Sequence, residues 1–173
     1  MSALRAFLQS LAPDQAMDGD IAFLSPYSQQ VSLLRKRLTV TGTRLPGGLQ
    51  PKVSLNGKPP VVGRLDGVHT VDSFQGNQAD VIVVSLVRNN QHEPGQGMGF
   101  LDESSRLNVL LSRAERLLVL VGSWDFFVHQ ISTVQLDDRT NPLWHWKRIV
   151  TDLDDWVASG RAVRLPADLR GLT

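Results

Sequence analysis

Two polar clusters hold the side chains of this chain that are best suited to chemistry. The first runs from Thr70 to Ser85 and reads TVDSFQGNQADVIVVS, and the second runs from Arg106 to Ala114 and reads RLNVLLSRA. A glycine lets the backbone approach a phosphate closely, and an arginine can bind a phosphate through two parallel hydrogen bonds. Because each cluster adjoins an apolar segment that can hold it in place, the pair predicts a site that handles phosphate groups.

The first cluster follows a short predicted strand over Val68–Asp72, and its Phe74-Gln75-Gly76 turn comes where that strand ends. The side chains of Thr70, Asp72 and Ser73 can hydrogen-bond a phosphate or orient a neighbouring loop. Turns with a glycine after a strand are common, so this turn alone does not define a site.

The second cluster lies in a segment whose apolar residues recur at helical spacing, which predicts a helix over Ser104–Arg116. At about 100° per residue, Leu107, Leu110, Leu111 and Ala114 form one stripe that would face a sheet. Arg106 and Arg113 then fall next to each other along one margin of that stripe. We expect both guanidinium groups at the rim of a cleft, although two arginines seven residues apart are also typical of a solvated helix edge.

The elements that must position these clusters alternate between strands and helices. Three short apolar runs suit strands that are buried on both faces of a parallel sheet: Ile21–Leu24, Val81–Val84 and Leu117–Val121. Helical spacing of apolar residues over Ser28–Val40 predicts a helix between the first two runs. The alternation indicates an α/β fold, in which ligands bind beyond the carboxyl ends of strands. Pro26 and Tyr27 lie at such a position.

Two regions depart from the alternation. Residues 41–64 are rich in Gly and Pro and contain Asn56-Gly57, a strong hairpin-turn signal, so we predict an inserted loop with a small hairpin. Residues 132–173 contain three tryptophans in a predicted helical extension. We expect these tryptophans to pack the extension onto the domain rather than to line a ligand site.

Charge is spread unevenly along a chain whose net charge is only +1. The first 66 residues contain eight Lys/Arg and four Asp/Glu, and the region from Arg35 to Arg64 contains seven basic residues and no acid. Such a basic half hints at contact with nucleic acid, although on charge alone a solvated surface is the commoner explanation. We predict that Arg35, Lys36 and Arg37 contact single-stranded nucleic acid.

Composition excludes several classes of protein. The chain has 173 residues, 42% hydrophobic and 20% charged, which fits one soluble domain. It has no apolar run near the roughly 18 residues that span a bilayer, so no membrane partner is predicted. Zero cysteines and no secretory signal favour a cytoplasmic location, with the nucleus left open. The four histidines have no metal-ligand spacing, so no metal site is predicted.

Taken in order, the motifs resemble the second RecA-like domain of superfamily 1 helicases, in particular the Upf-like group that includes senataxin. Ile21–Gln30 is similar to helicase motif IV, Thr70–Ser85 to motif V and Arg106–Ala114 to motif VI. The sequences of two further segments also match those usual in the group: Leu86–Asn90 and Gly97–Leu101. The resemblance covers residues 20–123. It implies a RecA-like P-loop NTPase fold, three-layered with a mainly parallel sheet, that lacks its own Walker A loop. The expected domain has a core over 20–131 and an extension over 132–173.

The resemblance also implies roles for individual residues. Arg113 would be the catalytic arginine that reaches the γ-phosphate of ATP, which the first RecA-like domain holds with Mg. The remaining implied nucleotide-binding residues are Gln75, Gly76, Gln78 and Arg106, and the residues nearer the nucleic-acid groove are Pro26, Tyr27, Thr70 and Ser73. The group usually carries a glutamate where this chain has Gln78, which puts nucleotide affinity or coupling in question.

The resemblance therefore implies the C-terminal motor domain of an ATP-dependent helicase that moves on single-stranded DNA or RNA. The first RecA-like domain would be its partner, in the same chain or in another, and the 173-residue chain alone is predicted to be inactive. The alternative is a stand-alone RecA-like adaptor that binds nucleic acid or a protein without turning over ATP.

Overall fold

The computed structural model describes residues 19–40, 50–51 and 67–165. Its strands are β1 (Asp20–Ser25), β2 (Gln50–Pro51), β3 (Val68–Thr70), β4 (Ala79–Ser85) and β5 (Ala114–Val121). Its helices are α1 (Ser28–Val40), α2 (Ser104–Leu111), α3 (Trp124–Gln130) and α4 (Trp144–Ala158), with two 3-10 turns at Asp72–Phe74 and Gly99–Asp102. The predicted helix over Ser28–Val40 is confirmed residue for residue.

The strands form one parallel sheet in the order β2-β1-β4-β5. β3 also pairs with β1, joining Val68 to Phe23 and Thr70 to Ser25, beyond the point where β2 pairs with Asp20 and Ile21. Parallel sheets are usually covered on both faces, because the crossover helices that connect their strands pack there. The sheet and its helices confirm the predicted α/β class.

Alternate residues of the strands pack into two cores on opposite faces of the sheet. On one face, Ile21, Phe23, Val81 and Val83 pack with Val31 of α1. The other face holds the larger core, to which α2, α3 and α4 all contribute. Trp146 and Val150 of α4 belong to this larger core, so the described part of the C-terminal extension packs on the main body of the domain.

The last strand departs from the prediction. A run of apolar residues over Leu117–Val121 predicted a strand buried on both faces, but β5 begins earlier, at Ala114, and most of its side chains are partly or fully exposed. Among the described residues β5 pairs only with β4 and is the edge of the sheet. Composition predicts a strand here, but burial depends on which neighbours the fold supplies.

The helix that carries Arg106 is also shorter than predicted. α2 ends at Leu111, and Ser112 leaves the helix with φ −99° and ψ 10°. The backbone carbonyl of Arg113 accepts a hydrogen bond from Ala79 N at 3.1 Å, and Ala114 pairs with Ala79 in the sheet. The prediction that Arg106 and Arg113 lie along one helix margin is therefore wrong, because pairing in the sheet overrides the helical pattern after Leu111.

The inserted loop gives a mixed result. Within it, only Gln50–Pro51 is described, as the two-residue strand β2, and the hairpin predicted around Asn56-Gly57 lies outside the described residues. Predicted strand Val68–Asp72 is shorter in the structure, since Asp72 opens a 3-10 turn. None of the described helices is long and apolar enough to cross a membrane.

Candidate nucleotide and strand-binding site

The turn after β3 is built by short side chains that bond to their own backbone. Ser73 N donates to Thr70 Oγ1 at 3.2 Å, and Ser73 Oγ donates to the Thr70 carbonyl at 3.0 Å. Phe74 is fully buried and anchors the turn. These bonds give Thr70 and Ser73, both predicted to contact nucleic acid, a local structural role as well.

The chain then turns sharply at Gly76, whose φ of 80° favours glycine. The side-chain amide of Asn77, which is buried, donates to the carbonyls of Phe74 and Gln75 at 3.4 Å and 3.3 Å. Gln75 and Gln78 remain exposed on either side. Asn77 therefore closes the turn that presents the predicted nucleotide-binding residues.

Arg113 lies against this turn. Its Nη2 and Nε donate to Ser112 Oγ at 2.7 Å and 3.3 Å, and its Nη1 donates to the Asn77 carbonyl at 3.5 Å. Because Ala79 and Ala114 begin β4 and β5, these residues lie at the amino ends of those strands. We define the amino-end cluster as Gln75, Gly76, Asn77, Gln78, Ser112 and Arg113.

A second group lies at the carboxyl ends of the strands. Tyr27 follows β1, and its hydroxyl accepts a hydrogen bond from Arg88 Nε at 2.6 Å. The Tyr27 and Phe100 rings are 6.0 Å apart between centroids, and the Arg106 guanidinium lies 3.6 Å above the Phe100 ring. We call Tyr27, Arg88, Phe100 and Arg106, with Asp72, the carboxyl-end cluster.

Arg106 lies between two carboxylates. Its Nη1 contacts Glu103 Oε1 at 2.9 Å, and its Nε lies 3.6 Å from Asp72 Oδ1. These partly exposed pairs hold the guanidinium over Phe100 but contribute little stability, because water screens them. A phosphate at Arg106 would have to compete with both acids, whereas the described contacts of Arg113 are with neutral oxygens.

The structure thus divides the predicted nucleotide-binding residues between two clusters. Gln75, Gly76 and Gln78 lie with Arg113, whereas Arg106 lies with Tyr27. The two arginines belong to different elements, since Arg106 lies within α2 whereas Arg113 follows the end of α2 and directly precedes β5. Sequence reasoning missed four residues of these clusters, Asn77, Ser112, Arg88 and Phe100, although all four lie inside or beside the motifs.

The basic residues of α1 differ from one another in their surroundings. Arg35 donates from Nε and Nη2 to the Val68 carbonyl at 3.1 Å and 2.7 Å, which ties α1 to β3. Lys36 and Arg37 are exposed. Lys36 is therefore better placed than Arg35 for the predicted contact with nucleic acid, while Arg44, Lys52, Lys58 and Arg64 lie outside the described residues.

His145 of α4 interacts with Leu101 and Asp102, which directly follow Phe100 of the carboxyl-end cluster. Burial lowers the pKa of His145 below its ordinary value of 6.5, opposed by a hydrogen bond with the Leu101 backbone and by the charge of Asp102. No group of three potential metal-ligating side chains occurs among the described residues.

The parallel sheet and the ordered motifs define a RecA-like α/β domain of the P-loop NTPase class. The chain belongs to the AAA domain family, whose model matches residues 1–125, and within that family it is a Upf-like superfamily 1 helicase domain.

Three relatives illustrate this similarity. The chain is 39% identical over 99 residues to the "Helicase required for RNAi-mediated heterochromatin assembly 1" of Schizosaccharomyces pombe, covering 57% of this chain and 8% of that protein. It is 32% identical over 123 residues to the "DNA polymerase alpha-associated DNA helicase A" of Saccharomyces cerevisiae, covering 71% and 15%. It is 50% identical over 56 residues to the "Regulator of nonsense transcripts 1 homolog" of Arabidopsis thaliana, covering 32% and 4%. The chain thus spans a small part of each relative's length.

Proposed function

We propose that this chain is the second motor domain of an ATP-dependent nucleic-acid helicase and that Arg113 is its catalytic arginine. The observation that carries the proposal is the fixed setting of the Arg113 guanidinium. Ser112 Oγ accepts two of its hydrogen bonds, and the Asn77 carbonyl accepts a third. A group oriented before the reaction costs less reorganisation when charge develops beside it.

The amino-end cluster fits one end of a nucleoside triphosphate. The turn at Gly76 offers backbone without a side chain, and exposed Gln75 and Gln78 can donate and accept hydrogen bonds. No carboxylate belongs to this cluster, so the residues present do not hold magnesium. ATP and Mg would be held mainly by the first RecA-like domain, and Arg113 would supply positive charge from the opposite side of the cleft.

Tyr27 of the carboxyl-end cluster, together with the nearby Thr70 and Ser73, is the proposed contact with single-stranded DNA or RNA. Tyr27 is partly exposed and can stack on a base, and the Thr70 and Ser73 hydroxyls lie at the end of β3. Pro26 precedes Tyr27 and is buried, so its role is to shape the turn rather than to offer a wide contact surface.

The test of this function compares two arginines in the helicase that contains the domain. Arg113→Ala should lower strand-stimulated ATP turnover on the order of a thousandfold with a smaller effect on ATP binding, because such an arginine acts mainly on transition-state charge. Arg116→Ala is the matched control, since Arg116 forms a surface ion pair with Asp80 and is 64% exposed. Turnover in Arg113→Ala that stays within a few-fold of wild type refutes the assignment.

A second function is favoured by one observation. Gln78 occupies the position at which the Upf-like group carries a glutamate, which suits a RecA-like adaptor that binds nucleic acid or a partner protein without ATP turnover. An adaptor would bind an oligonucleotide with the same affinity in the presence and absence of Mg-ATP. A motor domain joined to its first RecA-like domain should change that affinity, because nucleotide and strand binding are thermodynamically linked.

A further inference from the structure

Arg88 is aimed at Tyr27 by an unusual turn. β4 ends at Ser85, and Arg88 N donates to the Leu86 carbonyl at 2.7 Å across Val87, whose φ is +61°. A γ-turn with positive φ at its centre is rare and strained, and a β-branched residue makes it more so. Strain of this kind persists only where surrounding contacts hold it, and it is concentrated at functional sites.

The contacts that hold this turn come from Tyr27 and Gly99. Arg88 Nε donates to the Tyr27 hydroxyl at 2.6 Å, whereas the Arg88 guanidinium carbon is 5.1 Å from the ring centroid. The guanidinium therefore bonds the Tyr27 hydroxyl and also lies within cation–π range of the Tyr27 ring. A Cβ on Gly99 would meet Arg88 Nη2 and displace the end of that side chain, and the φ of +53° at Gly99 favours glycine, so the glycine leaves room for Arg88 in its present position.

Phe100 lies between Tyr27, which is predicted to bind single-stranded nucleic acid, and α2, the helix that ends just before Arg113. One neighbour is the Tyr27 ring, at 6.0 Å and 55°, and the other is the Arg106 guanidinium, at 3.6 Å from the ring. Aromatic and cation–π contacts of this kind favour one relative orientation of the groups they join.

The segment that carries Phe100 is held by hydrogen bonds with α3 and α4. Trp146 Nε1 donates to the Leu101 carbonyl at 2.6 Å, and Leu101 is buried. Gly97 N donates to Oε1 of the buried Gln130 at 2.7 Å. The backbone on either side of Phe100 is therefore held, and the Phe100 side chain, which contacts Tyr27 on one side and Arg106 on the other, is the part that can respond when Tyr27 moves.

We propose that Arg88 and Phe100 are positioning residues that fix Tyr27 relative to Arg106. Single-stranded nucleic acid bound at Tyr27 then changes the position of α2. α2 leads directly into Ser112 and Arg113, so this contact path joins the carboxyl-end cluster to the amino-end cluster. The inference rests on the proposed function and extends it to how the two ligands influence each other.

The chain contains a single tyrosine, which makes the test direct. With ¹³C-labelled tyrosine and ¹⁵N-labelled arginine in the 173-residue chain, an oligothymidylate of about 12 nucleotides should shift both the Tyr27 ring signals and the Arg106 Nε signal. In Phe100→Leu the Tyr27 signals should still shift while Arg106 no longer responds. Phe100→Tyr keeps the ring and should restore the Arg106 response, which is read from the arginine label because this variant has a second tyrosine.

Turnover in the complete helicase gives a second readout. Phe100→Leu and Arg88→Gln should each lower strand stimulation of ATP turnover about tenfold, while the apparent affinity for the oligonucleotide changes about twofold. Arg161→Gln is the matched control, because Arg161 also contacts an aromatic ring, that of Trp156 at 5.0 Å, but lies beyond the end of α4.

The outcomes separate the two proposals. If Arg106 responds in Phe100→Leu as in wild type, or if Phe100→Tyr fails as badly as Phe100→Leu, the positioning role is refuted. If wild-type Tyr27 shifts but Arg106 does not, the positioning role is refuted and strand binding at Tyr27 stands. If the oligonucleotide leaves the wild-type Tyr27 signals unchanged, strand binding at this site fails, and the positioning role fails with it.

Discussion

At the scale of single residues, hydrogen bonds with neighbouring residues hold the predicted site residues in place. The Ser112 hydroxyl and the Asn77 backbone carbonyl orient Arg113, and the Arg88 guanidinium orients Tyr27. Each acts on a neighbour rather than on a ligand. Because an orienting residue needs only a bond of the right length, several residue types could fill its place, which makes it hard to recognise from a single sequence.

Val87 provides a test at this scale. Val87→Gly should raise the free energy of unfolding by about 1 kcal/mol, because glycine adopts positive φ without strain and Val87 is 47% exposed and loses little burial. Denaturant unfolding monitored by tryptophan fluorescence measures the change.

Val121→Gly is the control for Val87→Gly. Val121 has nearly the same exposure, 48%, but lies in β5 and has no positive φ. Glycine there should lower the free energy of unfolding by about 1 kcal/mol through lost backbone restriction. A destabilised Val87→Gly variant would mean that the turn at Val87 is not strained.

At the scale of elements, α4 supports the loop that carries Phe100. Trp146 bonds the Leu101 carbonyl and stacks on Phe127, with ring centroids 4.6 Å apart. His145 precedes Trp146, and its Nε2 is the buried side-chain nitrogen or oxygen that has no hydrogen-bond partner among the described residues. The C-terminal extension, which contains none of the motifs, thus helps to hold the loop that carries Phe100.

We expect the buried imidazole of His145 to make the stability of the fold sensitive to pH. Burial lowers the pKa of His145 in the folded chain, so between that lowered pKa and 6.5 the unfolded chain binds more protons than the folded chain. Stability should therefore fall as pH decreases through about 6.5 and into the acid range. His145→Gln, which has no titrating group, should lose less stability between pH 7.5 and pH 5.5.

Urea unfolding at both pH values measures this difference. His129→Gln is the control, because His129 is exposed on α3. If His145→Gln and wild type lose equal stability on acidification, the buried imidazole does not make the fold sensitive to pH.

At the scale of the whole molecule, the uneven charge predicts how the chain meets nucleic acid. If about three basic side chains contact phosphates, the logarithm of affinity for a single strand should fall with the logarithm of salt concentration at a slope near −2. Lys36→Glu combined with Arg37→Glu should weaken binding and flatten that slope. Fluorescence anisotropy of a labelled oligonucleotide at several salt concentrations measures both effects.

A control with the same change of net charge is Arg148→Glu combined with Arg161→Glu. These arginines lie on α4 and just beyond its end, away from α1. Equal weakening in the two double variants would mean that overall charge, rather than the surface of α1, attracts the strand.

The sequence by itself determined the class of fold and the order of its motifs. Buried strands need continuous apolar runs and α1 needs apolar residues at helical spacing, so β1, β4 and α1 were predicted from local pattern alone. The amino-acid sequences of the motifs identified the family, and the family match over residues 1–125 confirms it.

Only the tertiary structure decided where the two arginines lie and what touches them. The pairing of Ala114 with Ala79 ended α2 before Arg113, which placed Arg113 beside Asn77 and left Arg106 beside Phe100. Contacts such as that of Arg88 with Tyr27 join residues 61 positions apart. Local periodicity records which face of an element is apolar, but the partners of a polar side chain depend on how distant segments pack together.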